Sequence, residues 1–395
     1  MNSRTRETAR RGRWLGAAAA AALIAGGAVQ SGFVAPSPAR AELQSSQHAI
    51  AIPSFADVID RVKPAVVSVR VEAKVASARD DDVDPRFSTP DLLPGHPLER
   101  FFRQFRDGED RGHGPRSDRP SRQSQGSGFF ISADGYLVTN NHVVDNGSKV
   151  QVLLDDGRTL DAKVVGTDPK TDIALLKVEG SDFPHVRFAA QKARVGDWAI
   201  AVGNPFGLGG TVTAGIVSAQ HRDIGAGPYD DFIQIDAPVN RGNSGGPTFN
   251  LAGEVIGVNT AIFSPSGGSV GIAFAIPAST VATVVESLKE DGTVARGYIG
   301  VQMQGVTREI ADAIGLKEPK GALVAEALKD GPAAKAGIRT GDTIIAVDGT
   351  PIQEAKDLSR RIASVAPGRS VTLTVYRNGR ERTVSFNVAA QPKGV

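Results

Sequence analysis

The chain has 395 residues, 41% of them hydrophobic and 22% charged, with a formal net charge of +2 and no cysteine. That length exceeds one ordinary domain, and the composition is that of a soluble globular protein. The missing cysteine excludes disulfides and cysteine-ligated metals, and with no basic patch the near-neutral charge argues against nucleic acid as a partner.

Residues 1–41 read as an export signal. Arg4, Arg6, Arg10, Arg11 and Arg13 form a positive region, Leu15 to Val29 is apolar, and Ala39-Arg40-Ala41 offers a cleavage site. These residues hold six Arg and one Glu, so the chain without them is net negative. The alternative keeps residues 15–34 as an inner-membrane anchor with weak membrane association, although glycines, Gln30 and Ser31 interrupt the stretch. Residues 42–54 form a flexible lead-in.

The first domain is expected over residues 55–293. Phe55 to Val62 has helical spacing and stops at Lys63-Pro64. Ala65 to Glu72 reads as a strand. A polar, proline-rich insert, 73–125, follows; its Leu98, Phe101, Phe102 and Phe105 share one helical face. That face either packs on its own domain or docks on a neighbouring subunit. Gly126 to Gly147 holds two strands and a histidine. Val150 to Leu154 and Thr159 to Val165 form a hairpin across Asp155-Asp156-Gly157. Strands continue at Asp172 to Val178, Trp198 to Gly203, Thr211 to Ala219 and Phe232 to Ala237. Gly207 to Gly210 lacks the Lys-Ser/Thr of a phosphate loop, so no ATP use is expected. An amphipathic helix, Ala278 to Asp291, closes this domain.

A second, smaller domain is expected over residues 294–390, with residues 391–395 as a tail. It opens on Gly297-Tyr298-Ile299-Gly300-Val301. Helices fall at Arg308 to Ile314 and Ala355 to Val365, with a helical turn at Pro332 to Ala336. Strands fall at Ala322 to Val324, Asp342 to Val347, Val371 to Arg377 and Arg382 to Val388. Asp348-Gly349 and Asn378-Gly379 are hairpin turns. The pattern is a small β-sandwich or partial barrel with two helices.

Three segments carry chemistry. Gly242-Asn243-Ser244-Gly245-Gly246-Pro247 sets a serine among glycines, which permit a tight turn and leave room for a substrate carbonyl. Of the six histidines, only His142 lies in an apolar run, Leu137 to Val144. Asp172 directly precedes the apolar strand Ile173 to Val178. Each has a bland alternative: a turn, a buried structural histidine, a capping aspartate. Together they supply nucleophile, base and orienting carboxylate. The N–H groups of Gly242 and Ser244, with Asn243 as a third candidate, form the oxyanion hole.

Chain order separates two folds. An α/β-hydrolase orders its triad serine, acid, histidine and follows the serine with a helix. Here the order is histidine, aspartate, serine, and a β-hairpin follows. The fold class expected is therefore mostly β, a chymotrypsin-like double β-barrel. No cofactor is expected, and no histidine–carboxylate cluster has metal-ligand spacing.

From about Phe55 to Ala390 the chain resembles the HtrA/Deg family of serine proteases with a single C-terminal PDZ domain. The resemblance rests on TNNHVV, TDIALLKV, DAPVNRGNSGGP, GVNTAIF and GIAFAIP, then GYIGV and GPAAKAGIRTGDTIIAVDGTPI. It implies a periplasmic homotrimer that degrades unfolded or misfolded proteins. It implies a switch in the loops around Val202 to Val212, Arg222 to Asp231 and Ala261 to Gly268, with Arg241 and Asn243 at its centre. Ile262 and Phe263 would line the primary pocket and favour cleavage after small or medium aliphatic residues. C-terminal peptides would bind at Tyr298, Ile299, Gly300 and Val301, with Leu358 and Ile362 framing the last side chain. Either this is a single-PDZ member or the chain is truncated, and one PDZ module puts large cages in doubt. The alternatives are a chaperone or binding protein with minor proteolysis, and a membrane-anchored regulatory protease that cuts one specific partner.

Overall fold

The computed structural model describes residues 54–73 and 123–392, apart from 146, 208, 266 and 267. The export signal, most of the lead-in and the Leu98–Phe105 helix lie outside the described residues.

Alternation builds the first barrel. In β1 (Val66–Ala73) Val67, Val69 and Val71 point into one core, while Arg70 and Glu72 face outward. The barrel closes in the order β1, β2 (Gln123–Phe130), β3 (Tyr136–Thr139), β6 (Ile173–Val178), β5 (Thr159–Asp168), β4 (Gly147–Leu153). β1 and β2 pair as far as Glu72 and Gln123, so the insert leaves and returns at one end of that pair. The apolar run Ile173–Leu176 in β6, which Lys177 ends before Val178, is explained by burial on both faces. Ala174, Leu176 and Val178 fill the barrel, and Ile173 and Leu175 join the apolar cluster outside it.

The second barrel closes in the order β10 (Pro247–Phe249), β11 (Val255–Ile262), β12 (Ala273–Pro277), β9 (Phe232–Ile235), β8 (Thr211–Arg222), β7 (Trp198–Gly203). The cluster between the barrels includes Val138, Leu175, Ile200, Val202 and Phe249. α1 (Ala56–Val62) adds Val58 and Val62 to it. A one-turn helix, α2 (Asn141–Val144), follows β3. The helix α3 (Ala278–Asp291) buries Val281, Val284, Val285 and Leu288, one face at helical spacing, against the same cluster. It stops at Gly292, which is left-handed at φ 69°.

The second module pairs β13 (Gly297–Tyr298) with β20 (Ala389–Ala390). Its main sheet runs β14 (Val301–Gly305), β15 (Ala322–Ala327), β16 (Thr343–Val347), β18 (Ser370–Arg377), β19 (Arg380–Asn387), and β17 (Thr350–Pro351) pairs with β16. α4 (Arg308–Ile314), α5 (Pro332–Lys335) and α6 (Ala355–Ala363) complete it. Both expected hairpin turns have two successive positive φ angles: Asp348 47°, Gly349 75°, Asn378 51° and Gly379 75°. That is the type I′ geometry which matches strand twist. Among the described residues no helix is long and apolar enough to cross a membrane.

Candidate active site

β3 ends at Thr139, and Asn140 is extended before the single turn of α2. Val143 and Val144 are buried in the first barrel, which fixes that turn and holds the His142 ring with a side chain only 6% exposed. His142 therefore sits in a helical turn just beyond a strand.

The hairpin between β5 and β6 brings Asp172 to it. Asp168 pairs with Ile173, so residues 169–172 form the connecting turn, and Asp172 is left-handed at φ 57°. Its carbonyl accepts from Asn140 Nδ2 at 2.9 Å and from the Asn141 N–H at 3.1 Å. Its carboxylate accepts from the His142 N–H at 3.0 Å and lies 2.8 Å from His142 Nδ1. The Thr260 hydroxyl donates to the same Oδ2. With Nδ1–H donating to the carboxylate, the ring's basic nitrogen is Nε2.

Ser244 is fully buried, and its Oγ donates to the Thr260 carbonyl at 3.5 Å. Thr260 thus touches the aspartate through its hydroxyl and the serine through its backbone. Gly245 N–H donates to Asn259 O at 2.8 Å and anchors the serine loop on β11. A Cβ on Gly245 would collide with Ser127 O and Thr139 Oγ1, so only glycine lets the serine loop approach the chain that leads to His142.

Before the serine, Asn243 N–H donates to Asn240 O at 3.1 Å and closes a β-turn. Gly242 at φ 90° gives this turn type II geometry. Asn243, the third candidate oxyanion donor, spends its N–H inside the turn. Ser127 locks the same loop: its hydroxyl donates to Gly242 O at 2.6 Å and accepts from Asn204 N–H at 2.8 Å, while its own N–H donates to Ser244 O at 2.8 Å. Its carbonyl accepts from Thr139 Oγ1 at 2.7 Å. Sequence reasoning missed Ser127, Asn140 and Thr260. Thr260 did leave a signal: a hydroxyl inside the wholly buried strand β11 needs a polar partner.

Ile262 is buried in the second barrel's core with Ala237 and Val239, and Phe263 packs half-buried at its edge. In the second module β14 is an edge strand, paired among the described residues only with β15. Gly300 precedes it at φ 72°, and a Cβ there would stand 2.8 Å from Gly331 Cα. Ile299, Leu358 and Ile362 are buried together in that module's core, and Tyr298 is half-buried. α6 also meets the loop at 222–231: Lys356 Nζ lies 2.5 Å from Asp223 Oδ1, and Arg360 Nη1 donates to Asp230 O at 2.6 Å.

Residues 126–258 match the trypsin-like peptidase domain family, and residues 297–388 match the PDZ domain family. The fold is that of a trypsin-like serine endopeptidase followed by one PDZ domain, and the protein is a serine endopeptidase. The chain is 56% identical to a probable periplasmic serine endoprotease DegP-like of Rhizobium meliloti (strain 1021), a match covering 87% of this chain and 71% of that one. It is 53% identical to the protein of the same description in Brucella suis biovar 1 (strain 1330), over 94% of this chain and 76% of that one. A solved HtrA-type protease, AlgW with tripeptide, superposes with a TM-score of 0.69 at 36% identity, over 86% of this chain and 98% of that one. The chain belongs to the DegP-like, HtrA-type family of serine endoproteases.

Proposed function

We propose that His142, Asp172 and Ser244 are the catalytic triad of an ATP-independent endopeptidase that degrades unfolded or misfolded proteins in the periplasm. The observation that carries this reading is the Asp172 carboxylate, which receives the His142 N–H, its ring Nδ1–H and the Thr260 hydroxyl, while the Thr260 carbonyl receives the Ser244 hydroxyl.

In this reading His142 Nε2 takes the Ser244 proton as Oγ attacks the scissile carbonyl. Asp172 holds the ring and stabilises the imidazolium. The N–H groups of Gly242 and Ser244 receive the oxyanion, each worth about 3–4 kcal/mol to the barrier. The imidazolium then gives its proton to the leaving amine. Water, activated by the same nitrogen, releases the acyl group. The type II turn at Asn240–Asn243 supports a formed hole, because the type I alternative would rotate the Arg241–Gly242 peptide and turn the Gly242 N–H away.

Phe263, half-buried against the core that holds Ile262, supplies an apolar wall that favours cleavage after Val, Ala or Ile. An unfolded substrate is required because an extended segment must lie along the site. The edge of β14 beside α6 takes a peptide C-terminus as an added strand, its carboxylate at Tyr298 to Val301. The relatives' description as periplasmic proteases supports the location, and the family resemblance supports a homotrimer.

The test is to incubate the wild type and Ser244→Ala with a permanently unfolded protein, without nucleotide, and to map new termini by mass spectrometry. Cuts after small aliphatic residues in the wild type alone are expected. Cleavage by pure Ser244→Ala would overturn the triad.

A further inference from the structure

Arg296 precedes the first PDZ strand and reaches back into the first barrel. Its backbone belongs to the PDZ module: its carbonyl accepts from the Gln391 N–H at 2.9 Å, and the next residue, Gly297, pairs with Ala390. A Cβ on Gly297 would collide with the Ile362 carbonyl, so this strand sits hard against the end of α6. The guanidinium goes the other way. Nη1 donates to Asp168 Oδ1 at 2.8 Å and Nη2 to Oδ2 at 2.5 Å, a two-pronged pair with both residues buried. Its other face lies 5.0 Å from the Tyr229 ring centre, and the Tyr229 hydroxyl donates to Gln391 Oε1 at 3.2 Å.

Asp168 is the last residue of β5 and the partner of Ile173 across the turn that carries Asp172. It also accepts from the Thr171 hydroxyl, so the residue next to Asp172 hangs on the carboxylate that Arg296 holds. Asp172 itself is left-handed, a conformation that aspartate tolerates better than most residues and that the contacts around this turn hold in place. Asn140 and Asn141 grip its carbonyl from the histidine side. Arg296 grips the opposite end of the same turn.

We propose that Arg296, supplied from the PDZ side, is a positioning residue for Asp172. The inference rests on the triad reading above. Arg296 touches no reacting atom; it acts through Asp168 and Thr171 on the turn that aims the Asp172 carboxylate at His142. A merely structural ion pair would tolerate replacement by a neutral pair, since buried ion pairs are often exchanged for uncharged groups without loss of stability. A positioning pair would not.

The experiment compares full-length Arg296→Lys and the double variant Arg296→Met/Asp168→Asn with the wild type on a short peptide substrate. Lysine keeps the charge but not the planar fork, so it also guards against a double variant that fails to fold. Both variants are expected to unfold near the wild-type temperature and to keep KM within about twofold, while kcat falls about tenfold or more, as expected for a catalytic group moved by a fraction of an ångström. Folded variants with wild-type kcat would overturn the proposal. So would a loss confined to KM or to the unfolding temperature. Asp172→Asn is measured beside them. If it still cleaves, the triad reading falls and takes the role of Arg296 with it. If it is inactive while Arg296→Lys is fully active, the Arg296 assignment falls alone.

Discussion

The Thr260 hydroxyl donates to Asp172 Oδ2, the oxygen that also lies 2.8 Å from His142 Nδ1. One carboxylate oxygen is thus held from the first barrel by the ring and from the second barrel by a threonine on β11. The Thr260 carbonyl faces Ser244. A single residue of the second barrel therefore contacts both Asp172, through its hydroxyl, and Ser244, through its carbonyl.

Thr260→Val keeps the shape of the side chain and removes the donor. The carboxylate then loses one of three restraints, and its rotation is freer. We expect kcat to fall by about tenfold to a hundredfold with KM little changed, because substrate binding does not use this hydroxyl. Steady-state kinetics on a peptide substrate decides it. Unchanged kcat would mean that Thr260 only fills space.

Gly242→Ala tests the oxyanion turn. Position i+2 of a type II turn needs positive φ, and a Cβ here would stand 2.5 Å from Pro205 Cβ. The turn relieves both conflicts by flipping toward type I, which turns the Gly242 N–H out of the hole. The expected loss is about 10²–10³ in kcat, that of one oxyanion donor. The effect is local, so circular dichroism should still report the wild-type fold. An active, folded Gly242→Ala would show that this N–H is not a donor.

What the sequence made legible follows a physical line. His142 stood out because it alone among the histidines lies in an apolar run, and the order histidine, aspartate, serine with a hairpin after the serine selected two barrels over an α/β sheet. The turn pairs Asp348-Gly349 and Asn378-Gly379 were readable because their chemistry is local. Thr260, Ser127 and Arg296 were not. Their partners are 88, 115 and 128 residues away along the chain, and no periodicity encodes a contact of that span. The left-handed Asp172 is hidden for the same reason, since its conformation is imposed by Asn140, Asn141 and the β5–β6 turn. The helical turn at His142 is not legible either, because it is a single turn preceded by two asparagines, which favour breaks.

Gly300→Val addresses the PDZ site. At φ 72° a β-branched residue is strained, and its Cβ would press on the Gly331 backbone, which cannot move aside as a flexible side chain would. The loop from Tyr298 to Val301 should then lose its carboxylate-binding shape. Calorimetry is expected to show the wild type binding a peptide with a free apolar C-terminus and rejecting its amide, with the variant's affinity for the free acid lower by about tenfold or more. Equal affinity of wild type and variant would misplace the carboxylate site.

Asp230 sits where the 222–231 loop meets α6. Its Oδ2 accepts from the Ile224 N–H at 3.0 Å and the Ala226 N–H at 2.8 Å, while its carbonyl takes Arg360 Nη1. Burial pushes its carboxyl up from 3.8 to about 6; the hydrogen bond with Asp223 adds to the rise, and the backbone donors and Lys356 oppose it. The sign follows from linkage. The folded state holds this proton more tightly than the unfolded chain, so the group's contribution to stability is complete below about pH 4 and is lost as pH rises through about 6. Asp230→Asn keeps an amide in the shape of the protonated carboxyl and cannot ionise. Its unfolding temperature should match or fall slightly below the wild type at about pH 4 and exceed it at about pH 7.5, with the crossover inside the window between the two pKa values. Thermal unfolding of both proteins across that range measures it. A difference that stays constant with pH would mean that Asp230 ionises alike in the folded and unfolded chain, and that the contact between the loop and α6 is indifferent to its charge.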